Sequence, residues 1–149
     1  MKVSDLLTPA PKQGAGTLIY AQTEQKFLFI LRSSLVNSPL TWGIPGGSVD
    51  PGETPGPAAI RETLEEVGYD ITGKPRKLIY INKTYLPRFE FYNYAVIIPK
   101  IFNPVINWEI EDTVWCDLAD ILHPRHWGLD MLLSNEMAAE KLREFLENS

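Results

Sequence analysis

The chain has 149 residues, of which 44% are hydrophobic and 22% charged, and its formal net charge is −5. That length sustains one domain with a core of its own, and the negative balance argues against a protein held on nucleic acid by broad charge neutralisation. A single cysteine, Cys116, excludes an internal disulfide. With no apolar stretch of spanning length and no apolar signal core behind Lys2, a cytoplasmic protein without a membrane partner is expected.

Residues 1–13 contain two prolines and no sustained period, and they read as a lead-in arm. Residues 16–21 (GTLIYA) and 26–32 (KFLFILR) are β-rich apolar runs parted by a polar stretch, the pattern of a hairpin. A polar loop follows, then a short strand over 41–47 that ends in Gly46 and Gly47. Residues 77–85 and 89–98 form a second pair of strand-like runs. Residues 112–116 read as another strand, 117–122 as a short helical turn ended by Pro124, and 135–147 as an amphipathic C-terminal helix. Strand pairs interrupted by one helix and closed by another predict an α/β fold, a mixed sheet flanked by helices, in a single domain.

The helix in the middle carries the chemistry. Thr54 suits an N-cap, Pro55 the first helical position and Gly68 a left-handed C-cap, which predicts a helix over 55–67. Glu62, Glu65 and Glu66 stand at i, i+3 and i+4 and share one face. Ile60, Leu64 and Val67 cluster on the other, while Ala58 and Ala59 fall on the carboxylate side and are too small to cover it. Like charges in this spacing repel by roughly 0.2–0.5 kcal/mol per i,i+4 pair. A cation bound among the three would remove that repulsion.

The stretch 47–69 (GSVDPGETPGPAAIRETLEEVGY) resembles the signature of the Nudix, or MutT-like, hydrolases, G-x5-E-x7-R-E-U-x-E-E-x-G-U with U aliphatic. Gly47, Glu53, Arg61, Glu62, Glu65, Glu66 and Gly68 meet its fixed positions, while Thr63 and Tyr69 depart from two of the aliphatic ones. The resemblance implies an α/β/α sandwich. It also implies hydrolysis of a pyrophosphate bond in a nucleoside diphosphate linked to another group: a nucleoside triphosphate, dinucleoside polyphosphate, ADP-ribose or nucleotide sugar. A Nudix-fold binding module without catalysis is the alternative.

By the same resemblance, Glu62, Glu65 and Glu66 ligate Mg²⁺ or Mn²⁺, Arg61 pairs with Glu53, and Gly46 and Gly47 shape the turn beside the metal. Hard oxygen ligands suit such a cation. The general base is open among Glu62, Glu109 and Glu111, with Glu109 favoured because it lies six residues before Trp115, where many relatives carry a functional glutamate. Arg32, at the end of the second strand, is a candidate to meet a substrate phosphate, an edge charge being the other reading. Tyr85 lies sixteen residues past Tyr69, where some diadenosine polyphosphate hydrolases of the family carry a tyrosine. Tyr85, Phe89, Tyr92 and Trp127 are candidates to stack on a base, although core packing is the commoner role of such aromatics in a sheet protein. His123 and His126 read as loop residues. The partner implied is a small nucleotide, and a homodimer is compatible with the pattern.

Overall fold

The computed structural model describes residues 10–72 and 78–149. Strand β1 runs over Lys12–Ala21, β2 over Lys26–Arg32, β3 over Trp42–Gly43 and β4 over Gly46–Ser48. Helix α1 spans Pro55–Val67, followed by β5 (Ile79–Leu86), β6 (Phe89–Ile98) and β7 (Ile110–Cys116). A short 3-10 turn, Leu118–Asp120, leads to helices α2 (Trp127–Ser134) and α3 (Glu136–Glu147).

The strands join in one sheet around β1, which is buried on both faces from Gly14 onward. One edge of β1 is shared. Its first half pairs antiparallel with β4 and its last residues with β2. The other edge runs parallel to β6 along its whole length, from Lys12 opposite Phe89 to Ala21 opposite Ile98. Beyond β2 lies β7, and beyond β6 lies β5. Apolar periodicity identifies β2 and β6 to the residue, but it does not say which strands are neighbours. The parallel β1–β6 pair at the centre is what joins the two predicted hairpins.

Each face of the sheet is covered. Ala58, Ala59 and Val67 of α1 pack on Ala15, Ile19, Leu28 and Val96. Leu129 and Leu132 of α2 and Ala138, Leu142 and Phe145 of α3 close the other side over Leu18, Tyr20, Phe27 and Phe29. This is the α/β/α sandwich expected. Burying a side chain such as Phe29 in that layer contributes about 1.5–3 kcal/mol. No helix among the described residues is long and apolar enough to cross a membrane.

Several expectations change. The lead-in arm ends early, because Lys12 and Gln13 already pair with β6; residues 1–9 lie outside the described residues, as does Lys77 at the start of the strand predicted over 77–85. The single strand over 41–47 is two, β3 on β2 and β4 on β1, because the chain steps from one neighbour to the other at Ile44 and Pro45. Strand β7 begins two residues sooner, at Ile110. Helix α2 was not anticipated; His126 starts it as a cap, its Nδ1 accepting from the Gly128 N–H at 3.0 Å, so it is not a simple loop residue.

Candidate active site

Helix α1 begins at Pro55 after Thr54, whose side chain makes no capping bond, and ends at Gly68 with φ 74°, which favours glycine. Its acidic face points inward. Glu62 is 7% exposed and Glu66 2%, whereas Leu64 on the supposed apolar face is 48% exposed. The alanines explain the inversion. Ala58 and Ala59 are fully buried on the side shared with the glutamates, and their small size lets α1 sit close to Ala15 of β1, so the acids are carried down with them. The two departures from the signature's aliphatic positions are accommodated locally. Buried Thr63 donates its hydroxyl to the Ala59 carbonyl at 2.8 Å, and Tyr69 stacks on Phe102 at 4.5 Å.

Arg61 is the hub of the acids. It grips Glu53 with two parallel bonds, Nε to Oε2 at 3.0 Å and Nη2 to Oε1 at 2.9 Å, the strong forked geometry of guanidinium and carboxylate. Nη2 also donates to the Ser48 carbonyl at 2.8 Å, and Nη1 reaches Glu62 at 3.1 Å and Glu65 at 3.2 Å. Glu53 in turn accepts from the Asp50 N–H at 3.0 Å. One side chain thus ties the loop after β4 to α1. The bond to Arg61 holds the Glu53 carboxyl below its ordinary range.

Glu62 and Glu66 lack such a match. Burial pushes Glu62 above the usual carboxylate range, against the pull of Arg61. Burial pushes Glu66 well above it, offset only in part by the Gly46 N–H, which donates to Oε1 at 2.7 Å, while Glu62 and Glu109 add repulsion. The glycines are required by this closeness. A Cβ on Gly47 would lie 2.6 Å from the Glu62 carboxyl, and one on Gly46 would lie 2.5 Å from the Ala15 carbonyl oxygen.

These groups border a cleft of about 620 Å³. Gly46, Gly47 and Glu62 form part of its lining, Arg32 and Glu109 another part, and Phe89, Phe91 and Asn93 of β6 with Trp127 of α2 a third. Glu109 is held at β2's end by the Ser33 N–H, which donates to its carbonyl at 2.8 Å. Glu111, by contrast, is exposed on β7 outside the cleft. The Arg32 guanidinium donates to the Asn37 carbonyl at 3.0 and 2.7 Å, and burial lowers its pKa while Glu66 and Glu109 act the other way.

The structure therefore brings together Arg32, Gly46, Gly47, Glu62 and Glu109 in one cleft, with Glu53, Arg61, Glu65 and Glu66 bound to its wall. Tyr85 is not among them: it is 63% exposed on β5, with the Lys83 ammonium 4.8 Å from its ring centre. Of the aromatics considered for stacking, Phe89 and Trp127 reach the cleft and Tyr92 does not. Asn93 was missed. A polar amide in the middle of the strand-like run FEFYNYAVII, three residues after Glu90, was the available signal.

The donor set suits a hard divalent cation, being carboxylate oxygen beside two buried acids short of positive charge. Among the described residues, no three acidic, imidazole or thiol groups converge ready-made on one point. Arg61 and Gly46 hold the glutamates apart, but Glu65 is exposed and can change rotamer at low cost. The residues fit such an ion chemically.

The family model that matches is the NUDIX domain, over residues 10–133. The chain belongs to the Nudix hydrolase family. It is 30% identical over 116 residues to diphosphoinositol polyphosphate phosphohydrolase 2 of Mus musculus, a match covering 78% of this chain and 57% of that protein. The chain thus spans a little over half the length of that curated relative. Among solved structures it is similar to a C. elegans Ap4A hydrolase binary complex, with a TM-score of 0.68, 24% identity, and coverage of 91% of this chain and 99% of that one. It is likewise similar to the NUDIX domain of Shewanella oneidensis NrtR complexed with ADP ribose, with a TM-score of 0.69, 21% identity, and coverage of 95% and 99%. At these identities the two structures establish the fold.

Proposed function

We propose that this chain is a divalent-cation-dependent pyrophosphohydrolase acting on a nucleoside diphosphate linked to another group. The observation that carries the reading is the pair of buried acids, Glu62 and Glu66, set beside the Gly46–Gly47 backbone at a cleft that aromatic rings also line. Buried carboxylates with so little compensation are costly in a purely structural role, and their retention points to a cation. Glu62, Glu65 and Glu66 would hold Mg²⁺ or Mn²⁺. Bound there, the ion supplies charge neutralisation of the pyrophosphate and acidifies the attacking water.

The remaining steps fall to the protein. Arg61 fixes Glu53, Glu62 and Glu65 in one frame, so the acids do not have to be ordered during turnover. Arg32 borders the same cleft, near enough to Glu66 and Glu109 to feel their charge, and would meet the phosphates there. Glu109 takes the proton of the attacking water, since it borders the same cleft as Glu62 while Glu111 does not.

Charge selects among the substrates named for the relatives. Among the described residues lining the cleft, Arg32 is the one lysine or arginine, and it is opposed there by Glu62 and Glu109. A densely phosphorylated inositol would meet too little positive charge; a nucleotide, with one charged end and one aromatic end, matches the two walls. The test is a panel of nucleoside triphosphates, dinucleoside polyphosphates, ADP-ribose, nucleotide sugars and a diphosphoinositol polyphosphate, read by product identity with Mg²⁺ and after chelation. Hydrolysis of at least one nucleotide, lost on chelation and exceeding that of the inositol compound, is expected. No turnover of any member would favour a binding module, and faster turnover of the inositol compound would overturn the charge argument.

A further inference from the structure

On β6, Phe89, Phe91 and Asn93 alternate on one face and line the cleft in a row. Asn93 is 2% exposed, and its amide is fixed from behind: Nδ2 donates to Asn82 Oδ1 at 2.9 Å and to Thr84 Oγ1 at 3.1 Å, both on β5. Those two bonds use both of its hydrogens. No donor among the described residues reaches its Oδ1, so with both hydrogens bound on β5 the oxygen is the unengaged polar atom of a residue that lines the cleft. Leaving such an acceptor unpaired when substrate displaces water is unfavourable.

Its position sets what it can read. In the sheet register Gly46 lies opposite Gly16, Gly16 opposite Asn93, and Asn93 opposite Asn82. Asn93 thus stands two strand spacings, roughly 9–10 Å, from the Gly46 backbone that holds Glu66. That is past the reach of a pyrophosphate seated at the acids and over its uncharged end. The neighbouring Phe89 and Phe91 supply ring surface, and a carbonyl oxygen supplies no attraction for phosphate.

We propose that Asn93 is a specificity-determining residue, its Oδ1 accepting an N–H or O–H from the nucleoside end of the substrate, with Asn82 and Thr84 as positioning residues that lock the amide. The assignment rests on the reading of the cleft as a nucleotide site. The donor is an exocyclic amine of the base or a ribose hydroxyl, and a hydrogen-bonding site of this kind rejects an analogue lacking its donor.

The test uses nucleoside monophosphates, which have no pyrophosphate to cleave, so binding is read without turnover. Calorimetry of the whole chain would compare AMP with purine riboside 5′-monophosphate, GMP with IMP, and AMP with 2′-deoxy-AMP. At least one donor-lacking analogue should bind roughly tenfold more weakly, and the loss identifies amine or hydroxyl. Asn93→Leu should bring that ratio within about twofold. Thr84→Val, which frees one side of the amide, should shrink it part of the way and keeps the question decidable if Asn93→Leu fails to fold. Asn93→Asp, which keeps an acceptor oxygen, should retain more of it than Asn93→Leu. Equal affinity across all pairs, an unchanged ratio in both Asn93→Leu and Thr84→Val, or no binding of any monophosphate overturns the proposal. Discrimination without hydrolysis would leave it standing while the pyrophosphohydrolase reading fails; hydrolysis without discrimination would do the reverse.

Discussion

Helix α1 and one face of β6 border the same cleft, but they are ordered by different means. The α1 side is a charge lattice in which one arginine binds Glu53, Glu62 and Glu65, and a single backbone N–H serves Glu66. The β6 side is a ring surface, Phe89 stacked beside Phe91 and Trp127 edge-on to Phe89 at 6.2 Å, interrupted by one locked amide. On the proposed reading the first, rich in acidic charge, would take an ion and phosphates, and the second, which is neutral, would read shape and one hydrogen bond. Chemistry and selection should then separate under mutation. Changes in α1 should lower turnover alike for every substrate, and changes along β6 should alter the ratios between substrates.

The largest effect is expected from Glu66→Gln. A glutamine still accepts from the Gly46 N–H, so the local fold is kept while a proposed cation ligand is lost. Activity should fall by more than roughly a hundredfold, beyond what loss of an outer-shell partner usually costs. Stability should move the other way. Glu66's affinity for its proton is raised in the fold, so the folded chain binds a proton that the unfolded chain has given up, and stability falls as pH rises above the ordinary carboxylate range. The variant escapes that loss. In chelator its melting temperature should equal or exceed the wild type's at pH 8, with the advantage shrinking towards pH 5. Turnover within tenfold of wild type, or a melting point several degrees lower at pH 8, would dissolve the contrast between the two walls.

A smaller loss should follow Arg61→Lys. A lysine keeps the charge but cannot make the forked bond to Glu53 while also holding Ser48 and Glu65. Because Arg61 acts through the residues it holds, turnover should drop roughly 10–100-fold, with a higher Mg²⁺ concentration needed for half-maximal rate. The relative rates on different nucleotides should not change. A shift in those ratios would mean that the acid lattice also reads the substrate, and the division between the walls would be wrong.

The two walls also differ in how far residues alone reveal them. The spacing of Gly47, Glu53, Arg61, Glu62, Glu65, Glu66 and Gly68 is dictated by one turn and one helix, so local periodicity places these residues on the same element. Even there the wheel misplaced Leu64, since it ranks faces by polarity and cannot see that Ala58 and Ala59 permit the closer approach. The opposite wall depends on long-range pairing. Asn93 becomes a site residue only because β6 runs parallel to β1 and β5 supplies Asn82 and Thr84 across the next register, and none of those neighbours is encoded locally. Helix α2 escaped for another reason. Its sequence, WGLDMLLS, is short and lacks a clear polar face, and its cap is a histidine behind Pro124 where serine, threonine or aspartate would be the usual sign.

That cap offers the smallest and most selective test. His126 lines the cleft, packs against Trp127 at 4.8 Å, and has its pKa lowered to about 4, first by burial and then by the charge of Arg32. Above about pH 6.5, the ordinary value, the ring is neutral in the folded and unfolded chains alike. As pH falls from there to about 4, the unfolded chain takes up a proton that the folded chain refuses, so stability is lost across that window. Asparagine at this position can still accept from the Gly128 N–H but does not titrate. Because the ring is only partly buried and solvent screens it, His126→Asn should recover on the order of 1–2 kcal/mol relative to wild type between pH 6.5 and 4. The opposing contributions of Glu62 and Glu66 are common to both proteins and cancel in the difference. Parallel denaturant titrations at pH 7.5, 5.5 and 4.5 would read it directly. A constant difference at all three would show that the ring titrates alike in the folded and unfolded chains and so becomes a cation beside Arg32 below about pH 6.5, weakening the case for a neutral surface beside the acids.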